Sequence, residues 1–133
     1  MADFNSQIIT QYRENNGQLG ENFPFPVLLL HTVGKRSGEP RINPVAYLPD
    51  GERYVVFASA GGAQNNPAWY HNLLAAPTAT VELPGETFEA SVAEVQGEER
   101  DRLYQIQSDA YPQFAEYTRK TSRTIPVVAL TRV

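Results

Sequence analysis

Apolar positions recur at helical spacing over residues 3 to 16, where Phe4, Ile8, Ile9 and Tyr12 share one face. Asn15-Asn16-Gly17 offers a stop. Residues 17 to 26 carry Gly17, Gly20, Pro24 and Pro26 and read as a loop. From Val27 the pattern becomes that of strands. Val27-Leu28-Leu29-Leu30 opens a strand over 27–33, and a second covers 41–48. Pro49-Asp50-Gly51-Glu52 turns the chain into a third over 53–59, with Asp-Gly as the hairpin signal. Its core, Tyr54-Val55-Val56-Phe57-Ala58, is apolar at every position and predicts a central strand covered on both faces. Pro84-Gly85 joins Thr78–Leu83 to Glu86–Val95. Phe88, Ala90 and Val92 alternate there and Val95 falls out of phase, which predicts a bulge near Ala93. Val127-Val128-Ala129-Leu130 is the last strand.

Helical segments interrupt this series. Pro67-Ala68-Trp69-Tyr70-His71-Asn72-Leu73-Leu74 has Asn66 as a candidate cap and Pro67 at the first helical position. Gly97–Ala110 is a third helix, with Leu103, Ile106 and Ala110 on one face. Pro112 starts a short fourth, with Tyr111, Phe114 and Tyr117 at three-residue spacing. Six strands joined by antiparallel hairpins favour a mainly β, α+β fold, a small closed barrel with flanking helices, over a parallel βαβ sheet. With the core starting at Val27, residues 1–24 form an appended helix and loop on one domain spanning 1–133. That helix is free to pack across a cleft or touch a partner.

Composition narrows the function. The chain has 133 residues, 41% apolar, and a net charge of −4, which opposes general attraction to nucleic acid or anionic lipid. No run approaches a membrane span, and Met1-Ala2-Asp3-Phe4 does not open a secretion signal. The absence of cysteine excludes disulfides, thiolate metal sites and thiol nucleophiles, and suits the cytoplasm. A weak peripheral membrane contact through Phe4, Ile8, Ile9, Tyr12 and Arg13 is the most that the first helix offers.

Against this acidic background, Thr32-Val33-Gly34-Lys35-Arg36-Ser37-Gly38-Glu39-Pro40-Arg41 concentrates positive charge in one hairpin turn. Backbone N–H groups, a hydroxyl and guanidinium forks can gather there around a phosphate or carboxylate. Charged glycine-containing turns also occur as plain solvated loops. The turn is neither a Walker A loop nor a dinucleotide fingerprint. A second candidate is Ser59-Ala60-Gly61-Gly62-Ala63, where the central strand runs out into small residues before a helix. Small side chains let a flat ligand approach the backbone, and a flexible connector would look the same. Trp69 and Tyr70 read as core or cleft wall, and Tyr111, Phe114 and Tyr117 as helix packing or pocket. Arg119, Lys120 and Arg123 read as a solvated face. His31 and His71 have no metal-ligand spacing, so no metal is expected. No Ser/His/Asp arrangement is found.

Together these segments resemble the deazaflavin-dependent nitroreductase family, oxidoreductases that use coenzyme F420. The family's Thr-x-Gly-Arg/Lys-Lys/Arg-Ser/Thr-Gly-x-x-Arg pattern is matched by residues 32 to 41, followed by Asn43-Pro44-Val45. Ser59-Ala60-Gly61-Gly62-Ala63, then Asn66-Pro67-Ala68-Trp69-Tyr70-His71-Asn72-Leu73, resembles the second block, and Arg123-Thr124-Ile125-Pro126-Val127 the ending. The resemblance covers roughly residues 25 to 133. It implies a six-stranded antiparallel split β-barrel similar to flavin-binding pyridoxamine-phosphate-oxidase-like proteins, often paired as a homodimer. It further implies that Lys35, Arg36, Ser37 and Arg41 hold the phosphate and glutamyl tail of the deazaflavin. Pro44, Val45 and the backbone of Ser59, Ala60, Gly61, Gly62 and Ala63 would border the ring, near Asn66 and Trp69. Tyr111, Phe114 and Tyr117 would face substrate. Relatives often carry Lys where this chain has Ala60 and His where it has Asn66, and Phe114 lacks the hydroxyl of their tyrosine.

The implied chemistry is hydride transfer from reduced coenzyme F420 to an electron-poor small molecule: a quinone, an enone or a nitroaromatic. Ser59, Tyr111 and Tyr117 are the candidates to polarise substrate or relay a proton. The alternatives are an FMN-dependent oxidase or reductase on the same barrel, and a non-catalytic protein that carries a cofactor or fatty acid.

Overall fold

A computed structural model describes residues 4–20 and 23–133. The expected helix start at Asp3 and the side chain of Phe4 lie outside the described residues. Helix α1 spans Phe4–Glu14. Strands β1 (Val27–Val33), β2 (Pro40–Asp50) and β3 (Arg53–Phe57) form two successive hairpins. A short 3-10 turn over Ala60–Gly62 leads to α2 (Ala68–Leu74). Strands β4 (Thr78–Leu83) and β5 (Glu86–Val95) form a third hairpin, and α3 (Gly97–Ala110) and α4 (Gln113–Lys120) precede β6 (Val127–Arg132). All strand pairs are antiparallel, and the order β1-β2-β3-β6-β5-β4 closes on itself. This is the expected six-stranded barrel.

Strand alternation builds two apolar layers. Leu28, Leu30, Val56, Val81, Ala90, Val128 and Leu130 fill the barrel. Val55, Phe57, Val127 and Ala129 face outward and are covered by Leu103 and Tyr104 of α3 and Phe114 of α4. The doubly covered β3 is therefore as expected. No bulge interrupts β5: its register with β6 runs unbroken from Ala90↔Arg132 to Val95↔Val127. The loss of phase has another cause. Phe88 and Ala90 face the barrel interior, whereas Val95 is buried on the outer face beneath α3. The covered face changes, not the register.

Helix α1 is not an appendage. Ile8 (6% exposed) and Tyr12 (2%) are buried against Val27 and Leu29, the outward residues of β1. The Tyr12 hydroxyl donates to the Val27 carbonyl at 2.7 Å, and burial pushes its pKa upward. Arg13 donates twice to Glu82 on β4, at 2.8 Å each, and His31 Nε2 lies 2.9 Å from the same carboxylate. Ile8, Tyr12 and Arg13, from the face that could have met a membrane, are thus committed to the barrel. Among the described residues no helix is long and apolar enough to cross a membrane.

Candidate functional site

The turn between β1 and β2 is braced by its own backbone. Gly34 N–H donates to the Glu39 carbonyl (2.8 Å), Gly38 N–H to the Gly34 carbonyl (2.9 Å), and Glu39 N–H to Ser37 Oγ (3.1 Å). A methyl group on Gly34 would run into Ser37 Oγ and force that hydroxyl off its bond with the Glu39 N–H. The Lys35 N–H donates to Asn72 Oδ1 at 2.9 Å, which ties the turn to α2. Between them lies a cavity of about 940 Å³, with Lys35, Arg36, Ser37 and Arg41 on one wall and Trp69 and Asn72 on the other. The only ion pair of the turn's cations among the described residues is a loose one, Arg41 to Glu39 at 3.9 Å. Among the described residues the positive charge there has little other compensation, and it lines the cavity.

Helix α2 is held for this purpose by its buried side. Tyr70 and Leu73 enter the barrel core while Trp69 packs beside them and reaches the cavity. The Tyr70 hydroxyl donates to Glu94 Oε2 on β5 at 2.7 Å. Burial first, and then this bond, push the Tyr70 pKa up to about 12, so it stays a neutral donor. Asn66 does not cap α2. Pro67 takes the cap position with extended backbone, and no side chain bonds the first turn. The Asn66 carboxamide oxygen accepts instead from Arg123 Nη1 at 2.6 Å.

The remaining expected residues lie along the continuation of β3. Ser59 is buried at the strand end, and Ala60, Gly61 and Gly62 follow with φ of +49°, +64° and +86°. This segment packs against the end of α4: Gly62 lies under Lys120 and the Tyr117 carbonyl. Tyr117 is half-buried, and its hydroxyl accepts from Gln113 Nε2 at 3.0 Å, leaving its own proton free to donate. Tyr111 is not on α4. It closes α3, with its N–H donating to the Gln107 carbonyl at 2.8 Å, and its ring meets Phe25 edge-on at 5.8 Å.

Of the expected set, Lys35, Arg36, Ser37, Arg41 and Trp69 share the cavity. Ser59 to Ala63 and Tyr117 form a second group beyond Pro67, which lines the cavity edge. Pro44 is half-buried on β2. The Val45 side chain is 5% exposed inside the barrel core and does not line the cavity. Phe114 is 1% exposed, among Phe25, Phe57, Tyr104 and Tyr117. It is a core residue here, not a surface offered to substrate. By sequence Asn72 carries no role of its own, and Arg123 reads as part of a solvated face. A polar residue on an otherwise apolar helix face was the available signal for Asn72. The resemblance marks Arg123 as the start of its last matched segment, but its partners, two backbone carbonyls and Asn66 Oδ1 about 60 residues away, are brought to it by the fold. It is not part of a solvated face.

The family described as F420H(2)-dependent quinone reductase matches residues 6–132. The F420H(2)-dependent quinone reductase Rv1261c of Mycobacterium tuberculosis is 40% identical over 126 residues, covering 91% of this chain and 85% of that protein. The solved structure of an F420-H2-dependent reductase, FDR-A, superposes with a TM-score of 0.71 at 36% identity, over 79% of this chain and 93% of that one. A domain-swapped dimer superposes with a TM-score of 0.72 at 32% identity, over 94% and 92%. The chain is a split-barrel oxidoreductase and belongs to the F420H(2)-dependent quinone reductase family.

Proposed function

We propose that this protein binds reduced coenzyme F420 across the cavity and the 59–63 segment and passes its hydride to a quinone. One observation carries the reading: Lys35, Arg36 and Arg41, whose only ion pair among the described residues is the loose one from Arg41 to Glu39, line with Ser37 and Trp69 an open cavity of ligand size. This donor set fits an anionic tail, since guanidinium forks and a hydroxyl match phosphate and carboxylate oxygens. When bound, the deazaflavin supplies the hydride. The chain's own residues do the rest. The cationic corner anchors the tail and Trp69 walls the cavity. The small residues Ala60, Gly61 and Gly62 permit close approach of a flat ring to backbone. Phe114 fixes the Tyr117 ring from below, at 5.1 Å between centroids. Tyr117, oriented by Gln113, donates a hydrogen bond toward the quinone oxygen where negative charge develops. Ser59 and Tyr111 are the further polar groups of this region. Binding in one orientation supplies the proximity that the transfer needs.

Anaerobic titration with reduced and oxidised coenzyme F420, with FMN and NADPH as controls, tests the reading. Tight binding of the deazaflavin and its oxidation on adding a naphthoquinone are expected. Tight FMN binding with no deazaflavin binding would select the flavin alternative, and binding without turnover the carrier. The double substitution Lys35→Ala, Arg41→Ala is expected to raise the F420 Kd by about 10-fold or more, with little change in melting temperature, because both side chains are exposed.

A further inference from the structure

Three consecutive residues after β3 have left-handed backbone, and the first, Ala60 at φ +49°, has a side chain that disfavours it. Such a segment persists only where its surroundings fix it. Here Arg123 does so. Its Nη2 donates to the Ser59 carbonyl (3.0 Å), Nε to the Ala63 carbonyl (2.9 Å) and Nη1 to Asn66 Oδ1 (2.6 Å). Every guanidinium nitrogen thus grips the segment, one on each side of the left-handed run and one at its far end. A parallel tie reinforces the hold. Gln64 Nε2 donates to the Lys120 carbonyl (2.8 Å), and Thr121 Oγ1 donates to Gln64 Oε1 (3.1 Å). Arg123 is not among the residues lining the cavity, and its side-chain hydrogen bonds all go to Ser59, Ala63 and Asn66.

We infer that Arg123 is a positioning residue that locks the 59–66 segment to the end of α4, so that the ring border and Tyr117 keep one relative geometry. This rests on the reading of 59–63 as the ring border given above. Tail anchoring and ring placement are then separate: the corner sets affinity and Arg123 sets transfer. Lysine cannot replace it, because a single ammonium cannot reach three acceptors in a plane.

The test uses Arg123→Lys and Arg123→Gln beside the corner double variant. Read out are the F420 Kd, the single-turnover rate of F420H(2) oxidation by a soluble naphthoquinone at saturation, and hydrogen exchange of the ligand-free proteins. The Arg123 variants are expected to slow transfer about 10-fold or more with a Kd within about threefold of wild type, the split of a lost positioning contact. Exchange should rise across 59–66 and stay unchanged across 34–41. The corner variant is expected to raise the Kd by a larger factor than it slows transfer, and to leave exchange across 59–66 as in wild type. Wild-type transfer in Arg123→Lys overturns the inference, as does parallel loss of affinity and rate, or unfolding of both variants. Failure of the wild-type protein to bind F420 would instead sink the functional reading itself.

Discussion

Two neighbours on α4, Phe114 and Tyr117, show how little spacing alone says about a side chain's task. Both belong to one aromatic run in the sequence, yet one is 1% exposed and the other presents a hydroxyl. Phe114→Ala is expected to cost about 3–5 kcal/mol of stability in chemical denaturation, as for other buried aromatics. Tyr117→Phe is expected to leave stability nearly unchanged and to lower quinone reduction about 10- to 100-fold, the size of a lost charge-stabilising donor. Equal effects of the two on activity at equal stability would refute the division. The cationic residues were legible because a compact turn brings neighbours in sequence together in space. The contacts of Arg123 and Asn72 were not, because Arg123 donates to acceptors, and Asn72 accepts from the Lys35 N–H, on segments distant in the chain.

Strand by strand, turn chemistry located the hairpins, since Asp50-Gly51 and Pro84-Gly85 place glycine where φ is positive, +63° and +82°. The elements misread were those whose surroundings decide them. Val95 keeps its place on the outer face, which α3 covers at that end, and α1 docks because β1 offers Val27 and Leu29 outward. The latch of α1 is ionic as well as apolar. Bonding to Arg13 chiefly, with His31 adding to it, holds the Glu82 carboxyl at about 2, below its usual 4.5. A carboxyl depressed in the folded state stabilises fully above about pH 4.5 and loses that contribution as pH falls toward 2. Glu82→Gln should therefore lower the melting temperature at pH 6, with the difference from wild type closing by pH 2. We expect about 2 kcal/mol at neutral pH, reduced by solvent screening of the half-exposed Arg13. A difference that stays constant across that range would exclude the latch.

At the scale of the whole molecule, a net charge of −4 surrounds one cationic corner. An anionic cofactor is repelled by the body and attracted by the corner, and salt screens the two at different ranges. F420 affinity is expected to fall several-fold between about 0.01 and 0.5 M salt. The slope should flatten in the corner double variant, measured by fluorescence titration. A salt-independent Kd would place the tail elsewhere. The barrel's connectivity carries a different consequence. Strand β6 is the wedge between β3 and β5, bonded on both sides, although some 30 residues and two helices separate it from β5 in the chain. Until residues 127–132 arrive, both flanking strands present bare hydrogen-bonding edges, so nascent chains pass through a stage open to mispairing with one another.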